Sequence, residues 1–171
     1  MKVLIIIAFI LLLSVPAYAS ASYSVSVEII VPIEITRTLP SPINTSQSFN
    51  VNLNFSNLVD LELFNISIKE TIPAGYKIIS KGKISPRPSF VGNENGATVV
   101  YWNISRMANY TNLSIKYSLS APKSAGNYTF RAYASCFDAS SDKFTAYNVT
   151  MQEVEKPPLW KSILEFLGIS S

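Results

Sequence analysis

The chain has 171 residues, 14 basic and 11 acidic side chains, a formal net charge of +3 at pH 7 and no histidine. The lack of histidine removes the commonest general base and the commonest transition-metal ligand. No Gly-rich phosphate loop and no G-x-S-x-G elbow occurs, and the basic residues form no clustered face for nucleic acid. We therefore predict a protein that is not an enzyme, has no cofactor, and does not bind nucleic acid.

The first 19 residues have the order of a secretory signal peptide. Lys2 supplies the positive charge, residues 3–13 form an unbroken apolar run, and Pro16 precedes an Ala-x-Ala pattern that ends at Ala19. The run has 11 residues, whereas a spanning helix needs about 20. We expect cleavage after Ala19 and an extracellular or cell-envelope location. The alternative is that the segment is kept as an uncleaved anchor.

Residues 20–152 show the period-two alternation of β-strands, separated by turn signals at the spacing of a sandwich. We predict an all-β, Ig-like, two-sheet antiparallel sandwich of about seven to nine strands. The predicted inward rows are Phe49, Val51, Leu53 and Phe55; Phe64, Ile66 and Ile68; Val100, Trp102 and Ile104; Leu113, Ile115, Tyr117 and Leu119; and Tyr128, Phe130, Ala132, Ala134 and Cys136. Phe49, Ile66, Trp102, Ile115 and Phe130 are expected to meet in one interior.

The first strand covers residues 22–31, is interrupted by Pro32 and resumes over residues 33–39. Because proline is tolerated at a sheet edge and not in a central strand, this strand is placed at an edge. The last strand is predicted over residues 144–151, with a less regular alternation.

Turns are predicted from proline and glycine. Pro73 and Gly75 are assigned to positions i+1 and i+3 of a type I turn. Residues 85–96 contain two prolines, two glycines and two asparagines and are interpreted as a long loop. Shorter turns are expected at residues 122–126 and 139–142.

Residues 153–171 differ from the rest of the chain. Two prolines at 157 and 158 end the sandwich, and a short amphipathic helix stopped by Gly168 is predicted to follow. Its apolar residues are Leu159, Trp160, Ile163, Leu164, Phe166 and Leu167. The helix docks on the sandwich or frays as a tail in the simplest interpretation, and peripheral membrane contact or partner docking is the alternative.

Asn-x-Ser/Thr sequons are the strongest chemical signal. They begin at Asn44, Asn54, Asn65, Asn103, Asn109, Asn112, Asn127 and Asn148, which is eight of thirteen asparagines. Chance and strand alternation together explain about four. Asn54, Asn65, Asn103, Asn112 and Asn127 have the outward phase, and Asn44 and Asn109 lie in turns, so all seven suit a bulky glycan. Asn148 is ambiguous because it shares its phase with Phe144 and Ala146.

Other candidate sites are weaker. The pairs Asp60 with Glu62 and Asp138 with Asp142 are interpreted as turn and edge residues rather than calcium ligands. A basic cluster of Lys77, Lys81, Lys83 and Arg87 beside the long loop is taken as solvated, with an acidic glycan or partner as the alternative. The single cysteine, Cys136, is predicted to be a buried small hydrophobe.

Three segments resemble the Ig-like repeat domains of archaeal and bacterial cell-surface proteins. Residues 64–68 (FNISI) running into 72–76 (IPAGY) resemble that family's strand followed by Pro-x-Gly-aromatic. Residues 99–104 (VVYWNI) resemble its later strand with an inward Trp, and 124–128 (SAGNY) its Gly-x-Tyr entry to the closing strands. The similarity covers about residues 48–136.

The resemblance implies an Ig-like sandwich on a cell surface, and it carries over no catalytic residue. Together with the sequons, it suggests a secreted or envelope-associated, N-glycosylated, non-enzymatic domain that acts in adhesion or surface structure, in an archaeal envelope. Its partners would be other surface proteins, copies of itself, or glycans. Two alternatives stay open. One is a filament subunit in which residues 22–31 complete a neighbour's sheet, and the other is a carbohydrate-binding accessory module that uses the outward Tyr101 and Tyr133.

Overall fold

The computed structural model describes residues 32–80 and 83–158. These residues form ten strands in chain order: β1 (Ile33–Thr38), β2 (Ile43–Asn44), β3 (Ser48–Asn57), β4 (Leu63–Ile72), β5 (Lys77–Ile78), β6 (Phe90–Glu94), β7 (Ala97–Met107), β8 (Asn112–Ser120), β9 (Gly126–Phe137) and β10 (Lys143–Glu155).

The strands make two sheets. The four-stranded sheet has the order β1-β3-β8-β5, and the six-stranded sheet has the order β2-β10-β9-β4-β7-β6. All pairings are antiparallel except β2 with β10, which is parallel. The predicted all-β, two-sheet sandwich is confirmed. The described residues form ten strands, of which two, β2 and β5, are only two residues long.

The interior lies between the two sheets. Phe49, Ile66, Trp102, Ile115 and Phe130 are all buried and belong to one hydrophobic cluster, as the alternation predicted. Each such side chain contributes about 1.5–3 kcal/mol when it leaves water. Cys136 is also buried in this cluster, which confirms its assignment as a small hydrophobe.

Strand β1 lies at the edge of the four-stranded sheet, directly after Pro32, as expected for a strand interrupted by proline. The predicted signal peptide, the strand predicted over residues 22–31 and the C-terminal amphipathic helix lie outside the described residues. Within residues 32–80 and 83–158, no helix has both the length and the apolar character needed to cross a bilayer.

The predicted inward phase of Phe64 is wrong. Leu63 is fully buried, and Phe64 is only half-buried. Asn65 has a φ of 51°, and the register between β4 and β9 shifts between Phe64 and Ser67. This bulge resets the alternation, so that Ile66 and the inward residues after it regain the predicted phase.

The turn after β4 also differs from the prediction. The amide of Tyr76 donates to the carbonyl of Pro73 at 3.4 Å, so Pro73 occupies position i and Gly75 position i+2. Gly75 has a φ of 94°, the conformation that a type II turn requires at i+2 and that glycine adopts without steric cost. The prediction is therefore wrong in the type of the turn, and it places both residues one position too late in it.

The long loop predicted over residues 85–96 contains strand β6, which pairs with β7. Its link to β7 is the two-residue turn Asn95-Gly96, in which both φ angles are positive, at 50° and 83°. Positive φ at both central residues is the signature of a type I′ hairpin, for which Asn-Gly is the preferred sequence. Because of this turn, the weakly apolar segment Phe90–Glu94 pairs with β7 and forms an edge strand of the six-stranded sheet.

The last strand is longer than predicted. It begins at Lys143 and continues to Glu155, past residue 152, where the sequence placed the end of the sandwich. Its even-numbered residues face the interior, so Ala146, Gln152 and Val154 are buried.

Candidate functional site

The two outer faces of the sandwich differ in chemistry. The outer face of the four-stranded sheet is polar, and its asparagines and serines bond to one another across β3 and β8. Ser114 donates to Asn52 and Ser118 donates to Asn50, each at 2.7 Å. The outer face of the six-stranded sheet carries large aromatic and apolar side chains. This face is therefore the stronger candidate for a binding site.

One row of side chains crosses five strands of that face in register. Tyr147 on β10 is paired with Tyr133 on β9, and Tyr133 is paired with Lys69 on β4. Lys69 is paired with Tyr101 on β7, which is paired in turn with Phe90 on β6. We call these five residues the aromatic row. Because paired residues on neighbouring strands point to the same face, the row forms one continuous surface.

The rings of the aromatic row contact each other in two pairs. The Tyr133 and Tyr147 ring centroids are 4.8 Å apart, and those of Phe90 and Tyr101 are 5.9 Å apart. Tyr147 is 72% exposed and Phe90 55% exposed. Tyr101 and Tyr133 are half-buried, so the two rings at the ends of the row offer the most open surface to a ligand.

Lys69 lies between the two ring pairs. Its Nζ is 5.4 Å from the centroid of the Tyr101 ring and donates to Glu94 Oε2 at 2.7 Å. The Tyr101 hydroxyl donates to Glu94 Oε1 at 3.2 Å. The hydrogen bond to Glu94 raises the pKa of Lys69, and the same bond lowers the pKa of Glu94. Both groups are thus charged at neutral pH, and they fix the position of Tyr101.

The sequence identified part of this row. It placed Tyr101 and Tyr133 on the outward phase, where the structure also places them. It did not identify Phe90, which falls within the predicted long loop, or Tyr147, which lies in the strand of irregular phase. The Asn95-Gly96 dipeptide is the signal that identifies the hairpin carrying Phe90.

A second polar cluster lies inside the sandwich and was missed by the sequence interpretation. Arg37 on β1 forms a bidentate ion pair with Glu70 on β4, and the Tyr117 hydroxyl donates to Glu70 Oε1 at 2.8 Å. The side chains of Arg37 and Glu70 have no exposed surface. Because no ligand can reach this cluster, its role is to join the two sheets.

The sequon asparagines are distributed over the molecule. Five are exposed: Asn65, Asn103, Asn109, Asn112 and Asn127. Asn44 and Asn54 are half-buried.

Asn148 lies on the inward phase of β10. Its Oδ1 accepts a hydrogen bond from Arg37 Nη1 at 2.9 Å and another from the Thr150 hydroxyl at 2.8 Å. An inward amide with two bonds is poorly placed for a bulky glycan.

The acidic pairs bond to neighbouring backbone and side-chain groups. Asp138 Oδ1 accepts from the amides of Ser140 and Asp142, each at 2.9 Å. Asp60 accepts from the Asn109 amide, and Glu62 pairs with Arg106 at 2.6 Å. Within residues 32–80 and 83–158, no group of three or more acidic or cysteine side chains is arranged to hold a metal ion.

The predicted basic cluster is only partly described. Lys81 lies outside the described residues, and Lys77, Lys83 and Arg87 are exposed. Lys83 and Lys116 line a shallow cleft of ≈ 580 Å³ on the polar face, together with Asn50 and Asn52.

Comparison with known proteins shows similarity of fold only. No protein-family model matches the chain, and no characterised protein matches its sequence. Among solved structures, a cohesin module from a Clostridium perfringens family 33 glycoside hydrolase superposes with a TM-score of 0.51 at 8% identity, covering 75% of this chain and all of the module. Escherichia coli alpha-2-macroglobulin gives 0.52 at 12% identity, covering 74% of this chain and 17% of that one.

A third structure, the bacterial hydrophobin BslA, has a TM-score of 0.49 at 16% identity, covering 73% of this chain and 96% of that one. At these identities the likeness concerns architecture alone. The described part of the chain is thus an all-β sandwich module with one polar and one aromatic outer face.

Proposed function

We propose that the protein is a secreted or envelope-associated, N-glycosylated, non-enzymatic surface domain that acts in adhesion by binding carbohydrate on its aromatic row. The observation that carries this proposal is the in-register alignment of Tyr147, Tyr133, Lys69, Tyr101 and Phe90 across the outer face of the six-stranded sheet. Exposed aromatic side chains grouped on one face are typical of interaction sites.

Carbohydrate suits this surface for chemical reasons. A pyranose ring has an apolar C–H face that stacks on an aromatic ring, and hydroxyls around its rim that need hydrogen-bond partners. Lys69 and Glu94 supply such partners in the middle of the row. Neighbouring strands lie about 4.8 Å apart, which is close to the length of one sugar unit in an extended chain. A linear glycan lying across the strands would therefore meet one row position per sugar.

The glycosylation part of the proposal is supported by the placement of the sequons. Five of the eight asparagines are exposed, and neither Asn112 nor Asn109 lies on a strand of the six-stranded sheet. Glycans at those two sites would leave the aromatic row open. Asn103 lies on the same face as the row, two residues after Tyr101 on β7, so a glycan there would border the row.

The test is a glycan-array screen of the secreted chain, followed by titration of each bound polysaccharide. We expect binding to extended glycans, and Tyr133→Ala or Tyr101→Ala to weaken it about tenfold, as loss of an aromatic contact does at binding sites. Tyr110→Ala is the matched control, since Tyr110 is 66% exposed and lies outside the row. An array with no binding, or equal affinity in the Tyr133→Ala variant, would contradict the proposal.

A further inference from the structure

Strand β10 has an edge that is largely unpaired among the described residues. One edge pairs with β9 from Lys143 to Val154. The other edge meets β2 only at Val154 and Glu155. Over residues 143–153 this second edge has no partner strand within the described part of the chain. Long open edges are templates for an added strand, and proteins usually protect them.

The side chains beside this edge are unusual for a surface that faces water. Val149 is 63% exposed and Met151 66% exposed, and both point outward from β10. The inward residues next to them, Asn148 and Thr150, are polar, and both accept hydrogen bonds from Arg37. Over residues 147–152 an added strand would thus meet an apolar stripe on its outer side and a polar one on its inner side.

The direction of the chain beside β10 follows from the contacts of β1 and β2. Arg37 contacts Asn148 and Thr150, and Ile43 pairs in parallel with Val154. Residues 37–43 therefore run in the same direction as the second half of β10.

Arg37 contacts Asn148, and Pro32 lies as many residues before Arg37 as Lys143 lies before Asn148. By this count Pro32 lies level with Lys143, at the start of β10. Its carbonyl accepts a hydrogen bond from the amide of Leu58 at 3.0 Å, beside the end of β3. Pro32, the first described residue, therefore lies at the Lys143 end of β10, and the described chain runs away from that end. A strand paired with β10 of the same molecule could run directly into Pro32 only by reversing direction there.

The segment before Pro32 has the alternating sequence pattern of a β-strand that could pair with this edge. Residues 22–31 alternate apolar residues, namely Tyr23, Val25, Val27, Ile29 and Val31, with residues that are mostly serine. The segment has ten residues, and the unpaired stretch of β10, residues 143–153, has eleven, so the two are similar in length. Its apolar row matches Val149 and Met151, and its serines match the polar inner side.

We propose that residues 22–31 of one molecule add as a strand to the open edge of β10 in a second copy of this chain. Donor segment and acceptor edge are different surfaces, so the contact is head-to-tail, and unless successive copies close into a ring it extends into an open polymer. The added strand extends the six-stranded sheet sideways and leaves its outer face free. Self-assembly is therefore independent of the proposed carbohydrate binding and is tested separately.

The experiment uses the full secreted chain and two complementary variants. Val27→Lys disables the donor and keeps the acceptor, and Val149→Lys with Met151→Lys disables the acceptor and keeps the donor. We expect the wild type to form polymers in electron micrographs, with amide-exchange protection of β10 that rises with concentration. Each variant alone should stay monomeric, and an equimolar mixture should form a one-to-one dimer that does not grow, as measured by sedimentation.

Ile79→Lys is the control for an added surface charge, because Ile79 is exposed and distant in sequence from β10. It should polymerise like the wild type. Circular dichroism of each variant verifies that the sandwich is folded. A wild type that stays monomeric at high concentration, variants that polymerise normally, or β10 protection that does not depend on concentration would each overturn the proposal, the last by showing that the strand comes from the same molecule.

Discussion

Arg37 and Glu70 join the two sheets through the middle of the sandwich. Arg37 Nε and Nη2 donate to Glu70 Oε1 and Oε2 at 3.0 and 2.7 Å, and neither side chain has exposed surface. Burial raises the pKa of Glu70, and the Arg37 guanidinium acts in the opposite direction. The hydroxyl of Tyr117 gives the carboxyl a third donor. These bonds connect β1 and β8 of the four-stranded sheet to β4 of the six-stranded sheet.

Loss of one partner from this pair should destabilise the fold strongly. Glu70→Ala leaves the Arg37 guanidinium buried without its counter-charge, which costs about 3–5 kcal/mol. We expect the midpoint of urea unfolding, followed by the fluorescence of buried Trp102, to fall accordingly.

The matched variant removes the whole cluster. Arg37→Met with Glu70→Leu and Tyr117→Phe fills the space with apolar side chains, and buried ion pairs replaced in this way lose little stability. The triple variant should therefore unfold at higher urea than Glu70→Ala. Equal or lower stability of the triple variant would show that the ion pair itself supplies the stabilisation.

Strand alternation predicted the fold because it is a local property of the chain. Phe49, Ile66 and Trp102 each repeat their apolar neighbours at a period of two, and the sandwich follows once every strand has one dry face. The same rule also placed Tyr101 and Tyr133 on the outer surface.

The features that the sequence missed depend on backbone angles or on distant pairing. Phe64 does not have its predicted inward phase, because Asn65 adopts a positive φ and forms a bulge. Glu70 has the inward phase of Ile68, but only the fold reveals that Arg37, 33 residues earlier, neutralises it. The aromatic row is likewise a product of register across five strands, which no local pattern encodes.

The two turn glycines should differ in their sensitivity to substitution. Gly75 and Gly96 both have positive φ, at 94° and 83°, so alanine costs about 1–2 kcal/mol at either position. A Cβ on Gly75 would also lie 2.9 Å from Cβ of Pro122, whereas a Cβ on Gly96 would meet only Ala74, at 3.9 Å. Gly75→Ala should therefore lower the thermal midpoint more than Gly96→Ala. The reverse order, measured by calorimetry, would contradict the close packing of Pro122 against Gly75.

Cys136 should be unreactive in the folded protein and should make stability fall at high pH. Burial raises the pKa of its thiol from 9.0 to about 11. Between these values the unfolded chain has lost the thiol proton and the folded chain keeps it, so stability falls as the pH rises through this range. We expect slow labelling by a thiol reagent at pH 8 and fast labelling in urea. Cys136→Ala should lose less stability than the wild type between pH 9 and 11, and an equal loss would rule out the thiol as its cause.

The sequons should separate into occupied and unoccupied sites according to their exposure. We expect glycopeptide mass spectrometry to find glycans on Asn65, Asn103, Asn109, Asn112 and Asn127, which are exposed. Asn148 should be unmodified, because its side chain faces inward and accepts hydrogen bonds from Arg37 and Thr150.

Substitution provides an independent test of the same distinction. Asn148→Ala removes an acceptor from the buried Arg37 guanidinium and should cost about 1–2 kcal/mol. Asn103→Ala, at an exposed position, should change the stability of the deglycosylated protein by less than about 0.5 kcal/mol. A fully glycosylated Asn148, or an Asn148→Ala variant as stable as Asn103→Ala, would show that this asparagine points to solvent and that Arg37 has another acceptor in its place.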